Sequence, residues 1–307
     1  MIVIPALHPA YDRIVFVDAL TPGAVHRPSR TLTGLGSKPV NVARFCAAMG
    51  LPVRLPILAD RRLLAVAAAD PLLAGPLVSM HPIHSPVAGR TDVTIVDRAG
   101  HATVFNEAAS DPGREVTDAV VAETLDRLAD GDTLVLAGSA PDAMTGVIRH
   151  LAEAGRACGA FVIVDASGPW LREGLAAQPS AVKISAAEAA ALEDQGARYR
   201  VGGRPAALAS IGQVGITDGE RGLRAWVDGT GPFLVEPPAG LEVVNPLGAG
   251  DAVTAGLAVA RAQGLSPLDG FILGTAMASA RLRHLEVRLD AADVEPMRRR
   301  VKVTPPN

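Results

Sequence analysis

Residues 245–256 read NPLGAGDAVTAG, a small-residue turn followed by an acidic residue and then by an apolar, helix-forming run. The pattern predicts a helix that begins near Ala249. Backbone amides at a helix start have no partner inside the helix, and the helix dipole adds roughly half a positive charge there. Glycines allow those amides to approach a phosphate closely. The stretch therefore predicts an anion-binding corner.

Asp251 follows the glycine turn directly, beside the place that an anion would take. A carboxylate there could accept a proton from a hydroxyl that attacks a transferring phosphoryl group. Asp also caps many ordinary helices, and the spacing alone leaves both interpretations open. Other glycine loops fit less well, because no G-x-x-x-x-G-K-[ST] run is present and Val253 stands where a dinucleotide fingerprint needs Gly or Ala.

Short apolar runs alternate with Ala-rich runs along the rest of the chain. The predicted strands are Ile2–Ala6, Val53–Leu58, Thr133–Ala137, Phe161–Asp165, Ala181–Ile184 and Val214–Thr217, and another should end at Val243–Val244. The predicted helices are Val40–Met49, Glu115–Ala129, Ala143–Cys158, Ala186–Asp194 and Ala249–Gln263. This alternation predicts an α/β protein with a parallel sheet covered by helices on both faces.

Three segments alternate polar and apolar residues instead: 12–18, 92–97 and 102–107. Residues 98–101, Arg-Ala-Gly-His, have the composition of a hairpin turn between the last two. Alternation indicates one solvated face, so these segments predict a small separate sheet that could cover a site.

Composition excludes several classes of protein. Hydrophobic residues make up 49% and charged residues 20%, with a net charge of −3, which is typical of a soluble protein with a sizeable core. The only basic block is 298–300, so we expect no nucleic-acid partner. No apolar run reaches about 18 residues and the start has no basic segment, so we expect no membrane association and a cytoplasmic protein. Cys46 and Cys158 are expected to be buried free thiols.

Five segments resemble a known family. NPLGAGDAVTAG resembles the C-terminal signature of the PfkB, or ribokinase-like, carbohydrate kinases, which usually runs D/N-T-x-G-A-G-D-x-x-x-A-G. GLGSKPVNVAR at 34–44 resembles the family's A-G-G-K-G-x-N-V-A-R. The branch of 1-phosphofructokinases and tagatose-6-phosphate kinases is resembled at 4–27 (IPALHPAYDRIVFVDALTPGAVHR), 89–97 (GRTDVTIVD) and 136–141 (LAGSAP). The segments follow the family's order across nearly the whole chain.

The resemblance implies a ribokinase-like three-layer α/β fold: a central, mostly parallel sheet with helices on both faces and a small β-sheet lid. Residues 1–307 would form a single domain, with the lid contributed by about 11–33 and 90–107. The family also implies ATP and Mg²⁺ as cofactors. In parts of the family two copies pair through the lid, so a homodimer through the lid is one expectation for this chain.

Site residues follow from the matched motifs. The resemblance implies that Asp251 is the catalytic base and that the amides of Gly248, Ala249 and Gly250 form the anion hole. The implied substrate residues are Asp12, Lys38, Asn41 and Arg90, with Lys38 and Arg90 as the cations that hold a phosphate already on the substrate. The implied nucleotide residues are Thr217, Gly219 and Gly222, and Glu188 would help to organise the metal.

Several positions depart from the family's pattern. Ser37 and Pro39 stand where the family has Gly, and His8, Asp92, Thr94, Ser185 and Pro246 replace other usual residues. The catalytic carboxylate and its glycines are intact, so we expect an active kinase with an altered choice of substrate. The candidate acceptors are fructose 1-phosphate, fructose 6-phosphate and tagatose 6-phosphate. Two alternatives are a kinase of an unphosphorylated sugar or nucleoside, and a non-catalytic protein that binds a nucleotide or sugar phosphate.

Overall fold

The computed structural model describes residues 1–108, 110–194, 200–201 and 203–306. The strands are β1 (Ile2–Val3), β2 (Ala10–Phe16), β3 (Arg30–Gly36), β4 (Val53–Ala59), β5 (Val78–His84), β6 (Arg90–Val96), β7 (Ala102–Asn106), β8 (Thr133–Gly138), β9 (Phe161–Ala166), β10 (Ala181–Ser185), β11 (Arg200–Val201), β12 (Arg204–Pro205), β13 (Gln213–Thr217), β14 (Leu223–Val227), β15 (Thr230–Glu236) and β16 (Lys302–Thr304). The helices are α1 (Lys38–Ala48), α2 (Arg61–Ala68), α3 (Arg114–Leu125), α4 (Val147–Ala157), α5 (Gly168–Ala176), α6 (Ala186–Asp194), α7 (Ala249–Ala262), α8 (Pro267–Arg281) and α9 (Ala291–Arg298).

The main sheet has ten strands in the order β16-β15-β14-β13-β10-β9-β8-β1-β4-β5. The seven strands from β13 to β5 are parallel, and β14, β15 and β16 extend the sheet antiparallel. The inner parallel strands are mostly apolar and buried: all seven residues of β4 are buried, and Arg54 is the one charged residue among them. Strands buried on both faces have this composition, so the predicted parallel sheet is confirmed.

Helices cover both faces of the main sheet. One buried apolar cluster joins the sheet to α1, α2, α7, α8 and α9, and includes Phe45 and Phe271. The other joins it to α3, α4, α5 and α6, and includes Leu151 and Trp170. The expected three-layer α/β architecture is confirmed. Within the described residues, none of the helices is both long and apolar enough to cross a membrane.

A second, four-stranded sheet has the order β3-β2-β6-β7. Its central pair, β2 and β6, is parallel, and β6 and β7 form a hairpin whose turn closes with a hydrogen bond from Asp97 N to His101 O. The predicted small separate sheet is therefore present, and it also contains β3, which the alternation did not indicate.

Some local predictions were wrong. Val243 and Val244 do not end a strand, because they are exposed and the Val244 amide donates to Leu282 O instead of to a strand. The helix predicted at 143–158 is divided, since Gly146 adopts a left-handed conformation (φ 85°) before α4 begins. Cys46 is buried as expected, but Cys158 at the end of α4 is exposed.

Candidate active site

The predicted site residues lie where the carboxyl ends of the parallel strands meet the amino ends of α1 and α7. Ligand sites of open α/β sheets form at this edge, beyond the strands' carboxyl ends. The small sheet contributes Asp12 and Arg90, and β13 contributes Thr217. Fold topology therefore brings together residues that are more than 200 positions apart in the chain.

Gly248 caps the start of α7 in a left-handed conformation with φ 75°. A Cβ at this position would lie 2.9 Å from Val287 Cγ1, so both the backbone conformation and the available space require glycine. The first residues of α7 are Ala249, Gly250 and Asp251. Their amides belong to the helix start, where unpaired N–H groups favour an anion.

The corner before α7 is fixed by Asn245, which is fully buried. Its Nδ2 donates to Leu285 O at 2.6 Å, and its Oδ1 accepts from Leu247 N at 3.0 Å. Both the NH₂ group and the oxygen of this side chain therefore have hydrogen-bond partners inside the protein. They anchor the glycine turn to the segment that follows α8, which holds the amides of the turn in one geometry.

Asp251 is almost completely buried, with 7% of its surface exposed. Its Oδ2 accepts a hydrogen bond from Asn41 Nδ2 at 2.8 Å. Asn41 Oδ1 in turn accepts from Arg44 Nη1 at 2.9 Å, and Arg44 Nε lies 2.6 Å from Asp70 Oδ2. This chain of contacts fixes the orientation of the Asn41 amide, so that its NH₂ group points at Asp251.

Burial raises the pKa of Asp251 above its ordinary range, and the neighbouring carboxylate of Asp165 adds to the effect. Lys38 and Lys183 and the hydrogen bond from Asn41 act in the opposite direction. Among the described residues, no cationic group lies within 4.0 Å of the Asp251 carboxylate. A carboxylate in this environment is suited to accept a proton near neutral pH.

Asp165, Lys183 and Thr254 form a cluster that sequence reasoning missed. Asp165 is fully buried; its Oδ1 lies 2.8 Å from Lys38 Nζ, and its Oδ2 lies 2.7 Å from Lys183 Nζ and 2.6 Å from Thr254 Oγ1. Burial alone would raise the pKa of Asp165, but the two ammonium groups outweigh it and hold that pKa well below its usual range. The two ammonium groups and the hydroxyl thus converge on one carboxylate near the starts of α1 and α7.

A signal for this cluster exists in the sequence. Asp165 lies near the carboxyl end of an apolar strand, where ligand-binding residues of parallel sheets collect, and Lys183 interrupts the apolar run AVKIS. A lysine in a buried strand requires a partner carboxylate. Lys38 is part of the same cluster, and its Nζ is also 3.9 Å from Glu188 Oε1.

Asp12 and Asp92 face the same side of the small sheet, since they are register partners on the parallel strands β2 and β6. Gly36 makes room for the Asp12 carboxylate, because a Cβ there would overlap it. Burial and the charge of Asp92 raise the pKa of Asp12 to about 7, although Arg44 and Arg90 oppose the shift. Asp12 therefore changes its charge within the physiological pH range.

Arg90 forms an ion pair with Asp92, one of the residues that depart from the family pattern. Its Nη1 lies 3.1 Å from Asp92 Oδ2, and its Nη2 donates to His8 O at 3.3 Å. His8, another departure from the family pattern, lies 3.2 Å through Nδ1 from Ser139 Oγ. Burial and the charge of Arg90 lower the pKa of His8 to about 4, so the imidazole is neutral at pH 7.

A cavity of about 1080 Å³ opens beside Asp12 and Asn41, between the small sheet, α1, α2 and residues 286–291. Its walls are mainly apolar, and they also carry the guanidinium groups of Arg44, Arg62 and Arg288. Arg62 stacks on the Tyr11 ring at 3.9 Å. The cavity is large enough for a small phosphorylated molecule.

The predicted nucleotide residues surround the turn between β13 and β14. Thr217 ends β13 and donates through Oγ1 to Ile184 O at 3.3 Å, while Gly219 and Gly222 both have positive φ values. A Cβ on Gly222 would lie 2.2 Å from Val235 O, so this position accepts only glycine. The turn is thus a compact backbone surface that follows the carboxyl end of β13.

Glu188 forms a capping box at the start of α6. Its Oε2 accepts from Ser185 N at 2.7 Å and from Ser185 Oγ at 2.9 Å, while Glu188 N donates to Ser185 Oγ at 3.2 Å. In the described part of the chain, no three His, Cys, Asp or Glu side chains form a cluster that could hold a metal. A single carboxylate still fits Mg²⁺, which is usually held by one or two carboxylates together with phosphates and water.

Ser37 and Pro39 stand where the family has Gly, and they differ in how well they fit the backbone conformation there. Pro39 lies in the first turn of α1, where a missing N–H does no harm. Ser37 has φ 129° and ψ 158°, a region that is open almost only to glycine, and its buried Oγ has no partner among the described residues. Backbone strain is therefore stored one residue before Lys38.

Comparisons with known proteins identify a family and a fold that resemble those of this chain. The family model described as "pfkB family carbohydrate kinase" matches residues 84–293. The 1-phosphofructokinase of Rhodobacter capsulatus is 33% identical over 288 residues, which cover 90% of this chain and 89% of that protein.

Two solved structures show the same fold. The phosphofructokinase-2 of Escherichia coli, in complex with substrates and products, has a TM-score of 0.83 at 21% identity and covers 97% of this chain and 98% of its own. The ribokinase of Thermotoga maritima has a TM-score of 0.70 at 17% identity, with 96% and 98% covered. These similarities extend over nearly the full length of both chains.

Proposed function

This chain belongs to the pfkB family of carbohydrate kinases, and from that premise we propose that it transfers the γ-phosphoryl group of ATP to a hydroxyl of a sugar phosphate, with Asp251 as the base. The acceptors proposed are fructose 1-phosphate first, then fructose 6-phosphate and tagatose 6-phosphate. One observation carries the proposal: the buried Asp251 carboxylate stands at the amino end of α7, oriented by a 2.8 Å hydrogen bond from Asn41 rather than neutralised by a cation.

The proposed roles of the residues follow from their positions. The Asp251 carboxylate accepts the proton of the attacking hydroxyl, and the amides of Gly248, Ala249 and Gly250 hold the negative charge of the group in transfer. Asp12 accepts hydrogen bonds from sugar hydroxyls, and it does so as a carboxylate. Lys38 is the first residue of α1 and contacts Asp165 and Glu188, and its ammonium is proposed to bind a phosphate.

The nucleotide is proposed to lie against Thr217, Gly219 and Gly222. These residues present backbone and a hydroxyl rather than aromatic rings. Glu188 is the residue proposed to hold Mg²⁺, through water or directly, together with the nucleotide phosphates. The metal, when bound, neutralises negative charge on the phosphates. ATP and Mg²⁺ use is what membership of this family implies.

The domain organisation is part of the proposal. We infer that residues 1–307 act as one domain and that the small sheet serves as its lid.

The outer face of the small sheet carries the partly exposed apolar side chains of Val15, Val93, Ile95 and Phe105, of which Phe105 is 57% exposed. A second copy of this chain, packing the same face against it, would bury them in an isologous dimer. Sedimentation of a Phe105→Glu variant tests this contact, and an unchanged mass would contradict it.

The test of the proposed function is ADP release from Mg-ATP across a panel of acceptors. The panel contains the three sugar phosphates and their unphosphorylated sugars. We expect turnover with at least one sugar phosphate, and we expect Asp251→Asn to lower kcat by about 10²–10⁴ while ATP still binds. Turnover near that of the native protein in this variant would remove Asp251 from the mechanism.

Asp269→Asn is a matched control. Asp269 occupies the same third position of α8 that Asp251 occupies in α7, but it is partly exposed and pairs with Arg298 at 3.2 Å, away from the proposed site. It should leave kcat unchanged. A protein that binds nucleotide but releases no ADP with any acceptor would support the non-catalytic alternative.

A second candidate function is a kinase of an unphosphorylated sugar or nucleoside. It is favoured by the ion pairs of both proposed phosphate-binding cations, Lys38 with Asp165 and Arg90 with Asp92. Replacing Lys38 and Arg90 by Met distinguishes the two functions. A large rise in KM for sugar phosphates alone supports the first function, and an unchanged KM supports the second.

A further inference from the structure

Arg281, the last residue of α8, has a side chain that is completely buried. Its Nη1 donates to His284 O at 2.9 Å, but its Nε and Nη2 have no hydrogen-bond partner among the described residues. Within that part of the chain, it is the one arginine whose residue exposure is 0%. Arg281 lies outside the five segments that resemble the family's motifs.

An unpaired buried cation destabilises a fold, because the charge loses its hydration without a compensating carboxylate. Burial lowers the pKa of Arg281 to about 10, so the guanidinium remains charged at neutral pH. An apolar side chain of similar length would fill the same space without that loss. The charge therefore needs an explanation other than stability.

The packing of α8 against α7 places this charge under the anion-binding corner. The two helices approach closely, since a Cβ on Gly256 would lie 2.3 Å from Gly274 Cα. The close contact brings the end of α8 to the start of α7, where a Cβ on Gly248 would be 3.5 Å from Arg281 Nε. The carboxylates whose charges act on the guanidinium are Asp251 and Glu286.

We propose that Arg281 is a positioning residue of the phosphoryl-transfer site: its buried guanidinium supplies a fixed positive charge beneath the Gly248 turn, which stabilises the negative charge of Asp251 and of the phosphoryl group in transfer. It acts through the corner and the base, and it touches neither reactant. In a site from which water is excluded, such a charge needs no reorganisation during the reaction. This inference rests on the proposed function, in which Asp251 is the base.

The charge of Arg281 adds to others around Asp251. Lys38 from α1 and Lys183 from β10 favour its ionised form, whereas Asp165 from β9 and Asp12 from β2 oppose it. Because both lysines remain when Arg281 is replaced, the expected shift is limited. We expect the acid limb of the kcat–pH profile to move up by about half a unit.

The test compares Arg281→Met, Arg281→Gln and Arg281→Lys with a control, Arg283→Met. Met removes the charge and keeps the length, Gln keeps a donor for His284 O without the charge, and Lys keeps the charge. Arg283 is partly exposed and lies two residues away, paired at 3.6 Å with Asp293. Two properties are measured for each variant: the pH profile of kcat and the melting temperature.

We expect Arg281→Met and Arg281→Gln to lower kcat about three- to tenfold and to move the acid limb of the kcat–pH profile to higher pH. The melting temperature should stay the same or increase. Arg281→Lys should restore the position of the limb, and Arg283→Met should match the native protein. An unchanged limb in both uncharged variants, or failure of both to fold, would show that Arg281 is structural and overturn the proposal. If Asp251→Asn retained full turnover, the proposed function would fail instead, so the two failures are distinguishable.

Discussion

Replacing Asn41 by Leu should shift the pH dependence of the chemical step. The substitution removes the only side-chain hydrogen bond to Asp251 within the described residues, at 2.8 Å, and leaves the shape of the side chain nearly unchanged. Leu cannot donate a hydrogen bond, so the ionised form of the Asp251 carboxylate loses its stabilising partner. The protonated form then becomes more favourable.

The magnitude follows from the burial of the bond. A hydrogen bond to a charged group is worth about 1.5–3 kcal/mol, and one pKa unit corresponds to about 1.4 kcal/mol. The pKa of Asp251 in the enzyme–substrate complex should therefore rise by about 1–2 units. Because only the ionised form acts as a base, kcat below the acid limb should fall about 10- to 100-fold and should approach the native value at high pH.

The assay is ADP release at saturating substrate from about pH 5 to 9. Asn41→Asp should move the limb further than Asn41→Leu, since it adds a negative charge beside the base. In an Asp251→Asn background, Asn41→Leu should have no additional effect on kcat. An equal loss of kcat at every pH, or an unmoved limb in a folded variant, would refute the role of Asn41 in tuning the base.

Three further predictions concern the substrate side and the remainder of the chain. Ser37→Gly should raise the free energy of unfolding by about 1 kcal/mol in urea titrations, because it relieves a backbone conformation that favours glycine; an equal or lower value would show that this backbone is unstrained. Because Asp12 must be ionised to accept sugar hydroxyls, kcat/KM for the acceptor should rise with pH through about 7, and Asp92→Asn should move this limb to lower pH by removing a neighbouring negative charge; a limb that stays in place would separate Asp92 from Asp12. One thiol of the native protein, that of Cys158, should react with an alkylating reagent, because burial raises the pKa of the Cys46 thiol to about 12; modification of Cys46 in folded protein would contradict the buried position.

The main features of the fold were predictable from local sequence pattern. Mostly apolar runs such as 53–58 and 133–137 become parallel strands, and alternating runs such as 92–97 become the small sheet. Strands with mixed composition were missed. Residues 78–84 contain two histidines and a proline, and they form β5, which pairs with β4 at the edge of the main sheet. Helix α8 was also missed, although Ser266 and Pro267 mark its start.

The candidate site was predictable only as far as motifs reach. The glycine turn, Asp251 and Asn41 were selected from their motifs, and the structure places the two side chains in contact. The motif gave no reason for that contact, because the order of residues does not show that the amide orients the carboxylate. Asp165 and Lys183 lie in different strands, and only the fold brings them into contact with each other and Asp165 into contact with Lys38.

The sequence by itself determined the periodicities, the glycines that only a positive φ explains, and the motifs that assign the family. These are local properties, because they depend on side-chain size, backbone freedom and hydrophobic spacing within a few residues. Tertiary structure alone decided where charges lie: Lys38 meets Asp165, Arg90 meets Asp92, and Arg281 lies beneath Gly248 with no carboxylate within 4.0 Å among the described residues. Electrostatic energies depend on distance and on burial in three dimensions, so a charge in the sequence has no defined effect until the fold provides its neighbours.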